Sequence, residues 1–225
     1  MELQAATSVE LGQLRARYLE AQLAGDLARA LRVLLSEGVG RGVAIPVLQR
    51  SVLREAQREI GRLWQENRIS VAQEHMATAI SKTVLSYLYE AARRAPSNGK
   101  RVLVSCVEGE LHDFPARLVA DGLDLAGFEV RFLGADVPTQ HLVSRVASDP
   151  PDLVALSATM SFTLPALQDA VQQLRAQAGI RMPIMIGGAA CSASLLSTHK
   201  LNADATASEI AEVISIAKRL LGLEL

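Results

Sequence analysis

The residues with the clearest chemical potential lie together in Glu108-Gly109-Glu110-Leu111-His112-Asp113-Phe114-Pro115. His112 is a metal-ligand residue type flanked by carboxylates. A ligating imidazole usually gives its other N–H to a second acceptor, and Glu110 is spaced to be that acceptor, with Asp113 close behind. Two further segments matter beside it, Ser157-Ala158-Thr159 and Gly187-Gly188-Ala189-Ala190. Ser157 could extend a relay from the histidine. The glycine pair removes side chains where a bulky ligand must approach backbone. A lone loop histidine is ordinarily just exposed; the acidic partner, the serine and the glycine pair raise His112 above that reading. A second cluster is Trp64, the only tryptophan, with Glu74 and His75 downstream. By themselves, Trp64 reads as core and Glu74-His75 as the solvated first turn of a helix. His141 reads as surface helix after Pro138, and His199 as a secondary candidate for the same crevice.

The elements that must position these residues fall into two grammars. Residues 1–95 read as helix throughout: Leu11, Leu14, Tyr18 and Ala21 recur at helical spacing. A second helix runs through Leu27, Leu31 and Leu34 and stops near Gly38 and Gly40. Pro46 opens a third, carrying Val47 to Leu63, and Ser70 caps a fourth that runs through Tyr89. Four antiparallel helices with short loops make a bundle. Ala95 to Gly99 reads as a linker. After it, short apolar strands alternate with helices: the run RVLVSCV, then strands over Glu129–Leu133, Leu153–Ser157 and Ile184–Ile186, and helices over Pro115–Ala126, Thr139–Ala147, Pro165–Ala178 and Ser208–Leu221. That alternation means βαβ units and a doubly wound, Rossmann-like (flavodoxin-like) parallel sheet over residues 96–225. Such sheets bind ligands at the carboxyl ends of their strands, where all three motif-bearing loops fall.

Composition excludes several classes. Of 225 residues 49% are hydrophobic, enough for a sizeable core. A net charge of −1 and only 4% aromatic residues argue against nucleic acid and anionic membranes. No apolar run is long enough to span a bilayer, and the N-terminal residues lack the pattern of a signal peptide, so a cytoplasmic location is expected. Cys106 and Cys191 sit in apolar contexts and are expected to be buried thiols.

The pattern Glu110-x-His112-x-x-Pro115, then 41 residues, Ser157-x-Thr159, then 27 residues, Gly187-Gly188, resembles the fingerprint of cobalamin-binding proteins. That fingerprint is an Asp-x-His-x-x-Gly, Ser-x-Leu, Gly-Gly arrangement shared by corrinoid proteins, mutases and cobalamin photoreceptors. The resemblance implies that His112 replaces the dimethylbenzimidazole base below the cobalt. It also implies that the displaced nucleotide tail enters a slot beside Ser157, Thr159 and Gly187-Gly188, with Glu110 and Asp113 in the ligand loop. Glu110 stands where aspartate is usual, Pro115 where glycine is, and Thr159 where leucine is.

Trp64, nine residues, then Glu74-His75 resembles the helical cap of light-sensing adenosylcobalamin proteins. The resemblance implies that Trp64 covers the upper face of the corrin, with Glu74 and His75 beside the adenosyl group. It implies a non-enzymatic light sensor in which loss of the upper group changes cap packing or assembly. The best-known photoreceptors have a histidine after the tryptophan; Gln65 here excludes a bis-histidine lit state through that position. They also carry a DNA-reading domain before the cap, whereas the bundle here begins near Val9, so no DNA binding is expected. Output would then pass through an unknown protein partner or a homo-oligomer, a dimer being favoured. The stand-alone photocobilins leave open biliverdin or another bilin as a second, noncovalent chromophore. The alternative reading is a corrinoid methyl carrier serving a separate methyltransferase, and a third is a storage or delivery module.

Overall fold

The computed structural model describes residues 7–177, 181–193 and 201–223. The chain divides into two compact units, Met1–Ala92 and Arg93–Leu225.

The first unit is helical. Helix α1 (Ser8–Leu23) starts at a capping box in which Thr7 and Glu10 satisfy each other's backbone N–H groups, and it buries Leu14, Tyr18, Ala21 and Gln22 along one stripe. Helix α2 (Leu27–Leu31) runs on into a π-helical turn, Arg32–Ser36. Helix α3 (Ile45–Leu48), with Pro46 in its first turn, likewise passes through a π-helical turn, Gln49–Leu53, into α4 (Arg54–Gln65). The apolar spacing predicts two plain helices here. A π turn admits one extra residue and rotates the buried stripe, a shift that a 3.6-residue pattern does not register. Asn67 takes a left-handed conformation (φ 55°) in the turn that follows α4. Helix α5 (Val71–Ala91) opens on a second capping box, Ser70 with Gln73. Tyr18, Leu34, Leu48, Leu53, Ile60, Leu85 and Leu88 are fully buried between these helices.

The second unit is a parallel sheet in the order β2-β1-β3-β4-β5, the flavodoxin-like winding. The strands are β1 (Arg101–Cys106), β2 (Glu129–Phe132), β3 (Leu153–Ser157), β4 (Ile184–Gly187) and β5 (Ala205–Ala207). Helices α6 (Phe114–Leu125), α7 (Thr139–Ser148), α8 (Leu164–Ala176), α9 (Ala189–Ala193) and α10 (Ile210–Leu220) connect and cover them. Alternate strand residues face opposite sides, as pleating requires. Val102, Val104, Cys106 and Met185 form one core with Ala116, Leu123, Val213 and Ala217; Leu103, Val154, Leu156 and Ile184 form the other with Leu142, Val146, Leu167 and Val171.

Strand β5, the 3₁₀ turn Ser161–Thr163 and helix α9 were absent from the sequence-based expectation. Each spans five residues or fewer, too short for periodicity to declare. His199 and the predicted helix end at Ala178 lie outside the described residues. The stretch read as a linker is bonded to the second unit: the Ala95 and Asn98 N–H groups donate to Leu125 and Gly127 carbonyls. Cys106 and Cys191 are buried thiols and form no disulfide. Among the described residues, no helix is long and apolar enough to cross a membrane.

Strand order reverses between β1 and β3, so their following loops part and leave a crevice. Beside it, Gly188 sits at φ +100°, and a Cβ there would lie 2.2 Å from the Ala158 carbonyl oxygen. Gly188→Ala is therefore expected to lower unfolding free energy by more than about 2 kcal/mol, combining backbone strain with a clash. Gly134→Ala, with φ +90° but open space around its Cβ position, should cost only about 1 kcal/mol. Chemical denaturation of the two variants checks the contrast; equal losses would contradict it.

Candidate functional site

The site is assembled on loop 107–113, which leaves β1 at the switch point. Its backbone is tied on both sides. Val107 N–H donates to the Ser157 carbonyl at 3.2 Å, and Asp136 N–H donates to the Glu110 carbonyl at 2.9 Å. Gly109 N–H donates to Asp136 Oδ1 at 2.7 Å, and Thr139 N–H to Glu108 Oε2 at 3.1 Å. The carboxyl ends of β1, β2 and β3 thus converge on one loop.

At its centre the Glu110 side chain has no exposed surface. Oε1 accepts from His112 Nδ1 at 2.7 Å and from the His112 N–H at 2.9 Å. Oε2 accepts from the Thr159 N–H at 2.6 Å and the Met160 N–H at 3.0 Å, and at 3.2 Å it shares the one Thr163 hydroxyl proton with the Met160 carbonyl, which lies nearer at 2.7 Å. Burial acts to raise this carboxyl, but the bonds from the His112 ring and from the Met160, His112 and Thr159 N–H groups outweigh it and hold it at about 2. A carboxylate only accepts, so His112 Nδ1 carries a proton and Nε2 is the nitrogen directed away from the pair. The ring is 42% exposed.

The other residues singled out from sequence take distinct places. Asp113 is the N-cap of α6; its carbonyl accepts from Arg117 N–H at 2.8 Å. Pro115 lies in the first turn of that helix, where its lack of an N–H costs nothing. Ser157 ends β3, paired in register with Cys106 on one side and Gly187 on the other. The relay from Glu110 passes not to Ser157 but to Thr159, Met160 and Thr163, because the carboxylate reaches the start of the loop after β3 rather than its last strand residue. The Thr159 hydroxyl is buried with no hydrogen-bond partner among the described residues. Asp136, Met160 and Thr163 were not foreseen, and Glu108 was read only as part of the loop. Two of these act through backbone or across 53 residues, and no local signal marks them.

In the helical unit, Trp64 is half-buried in the last turn of α4. Glu74 and His75 stand in the first turn of α5, with His75 Nδ1 2.6 Å from Glu74 Oε2 and the His75 side chain 75% exposed. His141 is exposed on α7.

Residues 100–214 match the B12 binding domain family, and residues 14–89 match a second B12 binding domain family. The chain belongs to the B12 binding domain family. Dimethylamine corrinoid protein 1 of Methanosarcina acetivorans is 30% identical over 167 residues, which cover 72% of this chain and 77% of that protein. The HTH-type transcriptional repressor CarA of Myxococcus xanthus is 31% identical over 136 residues, 60% of this chain and 46% of the repressor. The monomethylamine corrinoid protein of Methanosarcina barkeri shares the fold, with a TM-score of 0.78 at 23% identity over 93% of this chain and 99% of that one.

The residues present fit cobalamin on three counts. His112 is an imidazole with its tautomer fixed for ligation through Nε2. A Cβ on Gly187 would lie 2.8 Å from the Ala207 carbonyl oxygen, so backbone alone lines that edge of the B12 binding domain. The Thr159 hydroxyl leaves a polar group unsatisfied beside the crevice. The arrangement depends on Glu110 being charged. Glu110→Gln places an amide NH₂ among groups that only donate and is expected to cost about 3 kcal/mol of stability, whereas Thr163→Val should cost about 1 kcal/mol. Denaturant titration of both variants is the check; a near-neutral Glu110→Gln would refute the central role of the carboxylate.

Proposed function

We propose that the protein is a corrinoid methyl carrier that holds cobalamin for a separate methyltransferase. The observation that carries this reading is the His112 imidazole, locked on a buried carboxylate at the switch point of a B12 binding domain. Similarity to a dimethylamine corrinoid protein over most of both chains supports the methyl-carrying role. When bound, cobalamin supplies a cobalt centre able to take a methyl group from one donor and release it to an acceptor. His112 would ligate the cobalt from below in place of the nucleotide base. Glu110 holds the ring's proton on Nδ1 and aims the ring, and Asp113 begins the helix that carries the loop onward. Ser157, Thr159, Gly187 and Gly188 would border the displaced tail. Trp64, Glu74 and His75 are assigned to the upper face. In this reading catalysis belongs to the partner enzyme.

A second reading is a light sensor using adenosylcobalamin, read out by a partner protein or a homodimer, with a bilin as an optional second chromophore. The Glu74–His75 pair and the similarity to a transcriptional repressor favour it.

Two measurements test these readings. Protein carrying cobalamin should show a base-off, histidine-on spectrum, and His112→Ala should convert it to a plain base-off spectrum or abolish binding; an unchanged spectrum in the variant sinks the assignment of His112. For the role, reduced cobalamin-loaded protein is mixed with a methylamine methyltransferase and its methylamine, and adenosylcobalamin-loaded protein is illuminated in parallel. Appearance of the methyl–cobalt spectrum supports the carrier. No methylation, with a light-driven change in assembly size in its place, supports the sensor, and an absorption band beyond the corrin region would reveal a bilin.

A further inference from the structure

A directed chain of hydrogen bonds runs through the helical unit and ends at His75. The Tyr18 hydroxyl lies 3.1 Å from Ser81 Oγ, with both residues fully buried. Ser81 Oγ accepts from Gln22 Nε2 at 2.9 Å and donates to Gln57 Oε1 at 3.0 Å. Gln22 Nε2 also reaches Gln57 Oε1 and the Ala77 carbonyl, each at 3.2 Å. Gln57 Nε2 donates to Thr78 Oγ1 at 2.5 Å, and Thr78 Oγ1 donates to Glu74 Oε1 at 2.7 Å. Glu74 Oε2 faces His75 Nδ1 at 2.6 Å.

Every direction in this chain follows from its end. A carboxylate only accepts, so the Thr78 hydroxyl proton is committed to Glu74. Thr78 must then accept, which turns the Gln57 amide so that its NH₂ meets Thr78 and its carbonyl meets Ser81. On the other carboxylate oxygen, the His75 proton must sit on Nδ1, leaving the Nε2 lone pair on a ring that is 75% exposed. Such a network carries a cost: Gln22 Oε1 is buried with no hydrogen-bond partner among the described residues. A solvated first turn of a helix has no need of it. The pairing repeats the one at His112, where the second carboxylate oxygen is likewise held by a threonine hydroxyl, that of Thr163.

We infer that Gln57 and Thr78 are positioning residues for His75: they fix the Glu74 carboxylate, and through it the ring's tautomer and aim, so that Nε2 is presented as an acceptor on the exposed surface of the helical unit.

Long-range ¹⁵N spectra of the histidine-labelled full chain test this role. His75 should show the Nδ1–H tautomer in the parent protein and in Thr78→Ser. It should revert to the Nε2–H form favoured by free imidazole in Thr78→Val, which is nearly isosteric, and in Gln57→Leu. An Nδ1–H tautomer retained in both of the latter overturns the positioning role.

Discussion

A carboxylate taken out of water is costly unless its oxygens are fully satisfied, and in this fold that requirement organises the site. Glu110 receives five hydrogen bonds, two from His112 and three from Thr159, Met160 and Thr163. The donors come from two loops on either side of the switch point. Removing the charge would leave those donors facing a void or one another, so this group, beside the Val107 N–H bond to the Ser157 carbonyl, holds the two loops together. The His112 ring inherits its tautomer and its aim from the same contact.

The sheet supplies the frame for that contact. Because β1 and β3 are neighbours in register from Val102–Leu153 to Cys106–Ser157, their carboxyl ends lie side by side, and the loops that follow begin within reach of a single side chain. Strand β4 pairs with β3 up to Ser157–Gly187, which brings the glycine pair to the same edge. Gly188 then packs against the Ala158 backbone so closely that no side chain fits. Cobalamin, the ligand of this family, is large, and an edge of bare backbone suits it.

The helical unit builds a second imidazole–carboxylate pair by different means. Glu110 draws on backbone N–H groups of a loop, whereas Glu74 draws on a side-chain relay from Thr78, Gln57 and Ser81 across two helices. The exposed His75 and partly exposed His112 share one pairing, an Nδ1 proton held by a carboxylate, built on opposite kinds of scaffold.

Much of this was legible in the residues alone, and for local reasons. The capping signal at Ser70, apolar strands followed by helices, and the glycine pair that closes β4 are written within a few positions of where they act. The pairing of Glu110 with His112 needs only a two-residue spacing in a loop. The π-helical turns of the first unit and the three-residue β5 were not legible, since packing rather than periodicity selects them. Nor could sequence show which groups take the second oxygen of Glu110, or that Gln57 and Thr78 stand behind Glu74. Those partners lie tens of residues away and meet through hydrogen bonds whose geometry exists only once sheet and bundle have closed. Sequence by itself determined the elements and the chemical types at the site; the tertiary structure alone decided which distant donors satisfy its buried charges.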